Sequence, residues 1–253
     1  MTIRISGPVR LRGGRWFYAS PSAIEAWNLC PARAVAKYVG GFREPTTPAM
    51  EEGTRLHRVT QHALVTGHMP SMTERAVHKI IGALPIPIGT VEPRNIERVL
   101  LLPALNGFID WSDDFGRQGD LKFTSSVKYQ KAKDPRKDAQ RILYALDYFY
   151  REPFAADLKQ TWSVSQFNGA KALRLDHTWT RRSAKKKFAL HVHKPLDMLQ
   201  EAVHNQLDWQ RAPKNFESCH AYNKPCHMIA KGCKRSLSQR LASQKPGTIK
   251  VDP

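Results

Sequence analysis

The segment Gly107-Phe108-Ile109-Asp110, followed after nine residues by Asp120-Leu121-Lys122, constrains this chain more than any other. The two runs flank Asp114-Phe115-Gly116-Arg117, whose acidic residue and glycine suit a tight turn, so they read as two arms of a β-hairpin. A turn centred near Phe115 and Gly116 sets Asp110 roughly opposite Leu121 and makes Asp110 and Asp120 near neighbours across the hairpin. Asp120 and Lys122 are two apart and share a strand face. Ile109 and Leu121 predict half-buried strands, and buried charge needs a compensating reason. Two carboxylates so close repel unless a cation lies between them, and Mg2+ or Mn2+ suits such oxygen ligands. The lysine can orient or deprotonate an attacking water, or steady phosphate charge. The plainer alternative is an exposed polar hairpin; the apolar neighbours argue against it.

The rest of the chain supplies a frame for that hairpin. Residues 1–19 read as a basic strand or arm. Ser20-Pro21 opens a helix through Cys30, and a second helix runs to Tyr38 before Gly40-Gly41. A third covers about Ala49–Thr66 with Gly67 as its stop, and Ser71-Met72-Thr73-Glu74 has the form of a capping box for a fourth, ending before Pro85. Strands are predicted over Arg98–Leu102, Ala104–Asp113 and Gln118–Ser126. A helix follows over Lys137–Tyr150, its apolar face carrying Ile142, Leu143, Leu146, Phe149 and Tyr150. Two strands, Gln160–Asn168 and Ala172–Thr180, surround Asn168-Gly169. Arg181–Lys187 reads as a basic turn, Phe188–His193 as a further strand and Leu196–Trp209 as a helix. This order predicts a mixed α/β domain whose central sheet is flanked by helices.

With 253 residues the chain can build one elaborated domain with a real core. Its net charge of +18 predicts a polyanionic partner, nucleic acid first, with a solubilising basic surface as the plainer alternative. The N-terminus lacks an apolar signal core and no apolar run could span a bilayer, so a soluble cytoplasmic protein is expected. In that compartment the four cysteines are thiols or metal ligands rather than disulfides.

On Gly107–Asp110 and Asp120-Leu121-Lys122, the chain resembles the PD-(D/E)XK nuclease superfamily, in its RecB-type branch with iron–sulfur nucleases of the AddB family, CRISPR-adaptation nucleases and phage exonucleases. Two further motifs are similar: Gly53-Thr54-Arg55-Leu56-His57 matches a helical G-x-x-x-H motif, and Gln140 with Tyr144 matches a Q-x-x-x-Y helix. Where many relatives carry an acid soon after the histidine, Gln61 and His62 stand. The resemblance implies a restriction-endonuclease-like core within a single domain over 1–233. The helical part would be about 20–84, the catalytic core about 95–193, and a cysteine clamp over 210–233 with Cys30. Residues 234–253 would form a basic flexible tail. It implies His57, Asp110, Asp120 and the Leu121 carbonyl as metal ligands, Lys122 as the catalytic lysine, and Gln140 and Tyr144 positioning lysine or DNA. The implied activity is exonucleolytic hydrolysis from DNA ends in recombination or repair, with a recombination or replication protein as a candidate partner. A structure-specific or single-strand endonuclease is the alternative within that class. A non-catalytic DNA-binding recombination accessory is the alternative outside it, disfavoured by the intact triad.

Cys219, Cys226 and Cys233 form a C-x6-C-x6-C pattern, and Cys30 is the only other cysteine. Four thiolates suit a [4Fe–4S] cluster or a Zn2+ site. The absence of a C-x2-C pair favours iron–sulfur, and one cysteine before the core with three after it resembles the iron–sulfur branch. His220 and His227 are reserve ligands for zinc. Clamping Cys30 to residues 219–233 would close nearly the whole domain into a loop, a structural role. Lys128, Lys131 and Lys133 follow the catalytic strand and are candidate DNA contacts. Arg181, Arg182, Lys185, Lys186 and Lys187 are either further phosphate contacts or a solvated loop tip.

Overall fold

In the computed structural model of the protein, the described residues are 7–10, 16–43, 45–102, 105–131, 134–216, 218–219, 226–230 and 232–233. A short antiparallel pair, β1 (Val9–Arg10) and β2 (Trp16–Phe17), leads into α1 (Pro21–Leu29) and α2 (Pro31–Tyr38). Ser20 caps α1 by accepting the Ala23 amide at 3.1 Å. Cys30 separates the two helices because Pro31 cannot continue the first but can start the second. α3 (Pro48–Thr66) is capped by Thr47 and stopped by Gly67 at φ 74°, a left-handed conformation that glycine adopts without steric penalty.

α4 (Arg75–Gly82) lacks the expected capping box. The Ser71 hydroxyl faces Thr73, and the Glu74 carboxylate is taken by Arg55 of α3 at 2.6 and 2.9 Å. Glu74 therefore ties two helices together instead of reaching back to close its own.

Five strands form one sheet in the order β3 (Ile96–Val99), β4 (Phe108–Ser112), β5 (Arg117–Thr124), β6 (Asp157–Gln166), β7 (Ala172–Thr180). All neighbours are antiparallel except β5 and β6, which run parallel and are joined through α5 (Lys128–Lys131) and α6 (Ala139–Arg151). β3 ends earlier than the sequence predicts. The buried Asp147 carboxylate accepts the Leu101 amide at 2.6 Å and so draws that segment out of the ladder. Gly119 stands opposite Trp111, and a Cβ there would come within 2.4 Å of the indole. Glycine thus lets that ring cover the hairpin.

The predicted turn over Arg181–Lys187 and strand over Phe188–His193 are both helical. α7 (Arg181–Phe188), a π-helical turn (Ala189–His193) and α8 (Lys194–His204) follow one another directly. Thr180 and Ser183 form a reciprocal capping box at the start. Ala184, Phe188, Val192, Leu196, Leu199 and Val203 then recur every three or four residues and are all buried. The alternation in Phe188–His193 is a short cut through that longer stripe. Pro195 follows the wide turn, where a residue without an amide proton disturbs the helical ladder least. α8 also stops at His204, short of the predicted Trp209, and Gln206 takes a positive φ of 48°.

α1, α2, α6, α7 and α8 share the main apolar core, with Ile24, Trp27, Ile142, Phe149, Phe188 and Leu199 at its centre. Leu64 of α3 and Ile80 of α4 pack separately against Trp111 and Leu121. Helices flank a five-stranded mixed sheet, and the hairpin lies at its middle. Among the described residues no helix is long and apolar enough to cross a membrane.

Candidate active site

Strand register assembles the acids. Trp111 pairs with Gly119 and Ser112 with Gln118, so one further step sets Asp110 across from Asp120 rather than Leu121. The tighter closure comes from Asp113, whose carboxylate accepts the Phe115 and Arg117 amides at 3.0 and 2.9 Å. On the other side Ile96 pairs with Trp111 and Arg98 with Ile109, which sets Glu97 across from Asp110. Glu97, Asp110 and Asp120 thus occupy one row across three adjacent strands. Glu97 also has a positive φ of 48°, uncommon outside glycine.

Each side chain in the row is held. Asp110 Oδ2 accepts the Leu121 amide at 2.6 Å. Asp120, 1% exposed, accepts from Gln140 Nε2 at Oδ1 (2.7 Å), while Oδ2 lies 2.8 Å from Lys122 Nζ without directed hydrogen-bond geometry. Gln140 also donates to Tyr144 Oη at 2.6 Å, and Tyr144 donates to the Phe108 carbonyl. The Gln140–Tyr144 face of α6 therefore positions Asp120 and anchors itself on β4. The contact runs to Asp120, which in turn lies beside Lys122.

His57 reaches in from α3. Its Nδ1 is 3.8 Å from Asp110 Oδ2, and its ring packs edge-on against Phe123. A cavity of about 760 Å3 opens beside these groups, lined by Gly53, His57, Gln61, Glu97, Lys122 and Phe123 among others. Gln61 Nε2 donates to Glu97 Oε1 at 3.3 Å.

The electrostatics are those of crowded negative charge. Burial, then Asp120, pushes the Asp110 carboxyl well above the usual carboxylate range. Burial works against the Lys122 ammonium, but Asp120 and Asp110 outweigh it and the net displacement is upward, so the lysine keeps its proton. Burial lowers the His57 value, opposed by Asp120. The Tyr144 phenol is pushed up, first by burial and then by Asp120 and Asp110. Arg141, 1% exposed, stacks 4.1 Å over the Trp162 ring and adds a buried positive charge near Asp138 and Asp120.

Among the described residues, no three His, Cys, Asp or Glu side chains are grouped as a ready-made metal site. The donor chemistry nevertheless fits a hard cation. Burial first and Asp120 second raise the Asp110 carboxyl, and a divalent ion beside the two acids would oppose that displacement.

Glu97 is the residue that sequence reasoning passed over. It lies just before the strand predicted at Arg98, and only the β3–β4 register brings it to Asp110. Lys128 is exposed at the start of α5; Lys133 and the side chain of Lys131 lie outside the described residues. Arg181 is engaged within the fold, donating to the Phe149 and Glu152 carbonyls at 2.7 and 2.9 Å. Cys30 is buried and Cys219, Cys226 and Cys233 are half-buried. Burial raises the Cys233 thiol, and Cys219, Cys30 and Cys226 all act on it electrostatically. His220 lies outside the described residues, as does the His227 side chain. No family model matches the chain, and no curated protein matches it.

Proposed function

We propose that this protein is a divalent-metal-dependent deoxyribonuclease, an exonuclease acting on DNA ends, with a PD-(D/E)XK core. The observation that carries the reading is the facing Asp110–Asp120 pair, Asp120 buried and Asp110 half-buried, with Lys122 Nζ 2.8 Å from Asp120. A protein that only binds DNA has no use for two mutually repelling carboxylates beside a charged lysine. Asp110, Asp120, His57 and the Leu121 carbonyl would hold Mg2+ or Mn2+, and Glu97 stands beside them. The bound ion supplies Lewis-acid polarisation of the phosphate and a more acidic water. Lys122, kept protonated by its carboxylate neighbours, acts as a donor to phosphate oxygen rather than as the base. Gln140 fixes the Asp120 carboxylate, and Tyr144 fixes Gln140.

The preference for DNA ends, and a role in recombination or repair in the cytoplasm, rest on the resemblance to the RecB-type branch. The same resemblance favours a [4Fe–4S] cluster at Cys30, Cys219, Cys226 and Cys233 over Zn2+. Its physical support is the pair of contacts, Ala32 to the Pro213 carbonyl and Asn215 to the Leu29 carbonyl, that bring the C-terminal segment past Cys30. A brown protein with thiolate-to-iron absorption would decide for iron.

The test of activity is degradation of end-labelled linear and closed circular DNA with Mg2+ or Mn2+, comparing wild type with Asp120→Ala. Loss confined to linear DNA and to the wild type is expected. Equal activity in the two proteins would sink the site, and cleavage of closed circles would sink the end-dependent mode.

A further inference from the structure

α7 and the π-helical turn after it carry Arg181-Arg182-Ser183-Ala184-Lys185-Lys186-Lys187 and then His191 and His193, with no acidic side chain from Arg181 to Lys194. Their place in the fold gives this charge a direction. Arg181 is pinned to the carbonyls of Phe149 and Glu152, at the C-terminal end of α6. His191, ten residues on, lies within electrostatic reach of Lys187, Lys137 and Asp134, at the opposite end of α6. α7 and the following turn therefore run antiparallel along α6 for about 15 Å at the helical rise per residue. That end of α6 is where Asp138 acts on Lys122 and Gln140 grips Asp120.

The outward face is built from residues 182, 185, 186 and 189, one face of a helix at the i, i+3, i+4, i+7 spacing. Arg182 and Lys186 are exposed and Lys185 half-buried, while Ala184 and Phe188 on the opposite face are buried. Together with Leu190, which is 61% exposed, these side chains line a shallow surface cavity of about 640 Å3. Arg182, Lys185 and Lys186 appear in no ion pair among the described residues, whereas Arg55, Arg117, Arg136 and Arg151 each hold a carboxylate.

We propose that Arg182, Lys185 and Lys186, continued by Lys187 and Lys137, form a track that holds the DNA backbone alongside α6 and feeds it to the acid row. The track rests on the nuclease reading and adds to it the route of the strand. Its length matches about four successive phosphates at roughly 3.4 Å of duplex axis each. Lysine and arginine on a rigid helix bind such a backbone without reading sequence, which suits an enzyme that must degrade any DNA.

The test is binding of a labelled short duplex to the full-length protein in EDTA over a series of salt concentrations. The track variant is Arg182→Gln/Lys185→Gln/Lys186→Gln. A charge-matched control is Lys79→Gln/Arg94→Gln/Lys171→Gln, on other elements. The double variant Arg182→Gln/Lys186→Gln repeats the test should the triple change fail to fold. For the track variant, the slope of log K against log salt is expected to fall by about 0.9 per lost contact, with affinity on the order of 10- to 100-fold weaker. The control is expected to stay near wild type. Equal losses in both variants would overturn the track and leave only bulk charge. Unchanged binding by the track variant, with wild type still binding and cutting DNA, would overturn the track and leave the nuclease reading standing. A track variant that keeps its DNA binding but loses binding to anionic lipid vesicles would overturn the track in the same way. Failure of wild type to bind DNA at all would overturn both.

Discussion

The buried Asp120 is held by the ladder register of β5, by Gln140 and by Lys122, groups fixed by the sheet and by α6. The cysteine segment meets the core differently. The Ala32 amide donates to the Pro213 carbonyl and Asn215 Nδ2 to the Leu29 carbonyl, which bring the chain past Cys30. Beyond that point, Cys226 bonds back to Cys219 and Cys233 to Met228, local contacts within the segment. The acid row is preorganised by protein groups that would exist without any ion. At the cysteines the proposed metal would itself join the segment to Cys30. A ligand at the first site should therefore change chemistry more than stability, and a ligand at the second should do the reverse.

The largest effect that would break this contrast is at the acid row. Asp120→Asn keeps the shape and the Gln140 contact but removes the charge, and metal-dependent cleavage should fall by on the order of 10²–10³. Thermal unfolding should move by no more than a few degrees. A large loss of stability with activity retained would place Asp120 in the scaffold instead.

Cys30→Ser probes the other side. On the proposed cluster it removes one of four ligands, across a loop enclosing most of the chain, and is expected to lower stability by about 3 kcal/mol, or roughly 6–12 °C in Tm. Nuclease activity per folded molecule should be little changed. An unchanged Tm would show that the thiols hold no metal.

Asp110→Asn sharpens the comparison because it separates the two quantities within one site. The folded carboxyl is raised by burial and by Asp120, so its favourable contribution is complete below the ordinary value of 3.8 and is lost as pH rises through the raised folded value. Near neutral pH the charged form opposes folding. The ion-free Asn variant should be more stable than wild type by about 1 kcal/mol or more, about 2–4 °C per kcal/mol, with the difference vanishing in acid. Mn2+ should raise the Tm of wild type and leave the variant unmoved.

Tyr144→Phe is the smallest change. It removes the hydroxyl between Gln140 and the Phe108 carbonyl and loosens Asp120 only at second hand. Stability should fall by about 1 kcal/mol and the cleavage rate by about tenfold, with metal affinity nearly intact. Titrating Mn2+ against rate separates these outcomes.

Much of this was legible along the chain. Asp110, Asp120 and Lys122 announced themselves by standing as charges among strand-forming apolar residues. Ser20, Gly67 and Asn168-Gly169 marked element ends by local chemistry alone. The sequence misleads where a short window competes with a longer one. Phe188–His193 alternates like a strand over six residues, yet its apolar positions continue a helical stripe from Ala184 to Val203. Ser71 and Glu74 have the spacing of a capping box, but Arg55, distant in sequence, holds the glutamate.

The sequence by itself determined the mixed α/β character, the carboxylate–lysine hairpin and the helical face shared by Gln140 and Tyr144, because each depends on periodicity or on neighbours a few residues away. Only the tertiary structure decided that Asp110 faces Asp120, that Glu97 completes the row and that α7 runs along α6 toward it. Those relations depend on strand register and helix docking. Both are set by which apolar surfaces pack together, and a shift of one residue in register would move every acid to a different partner.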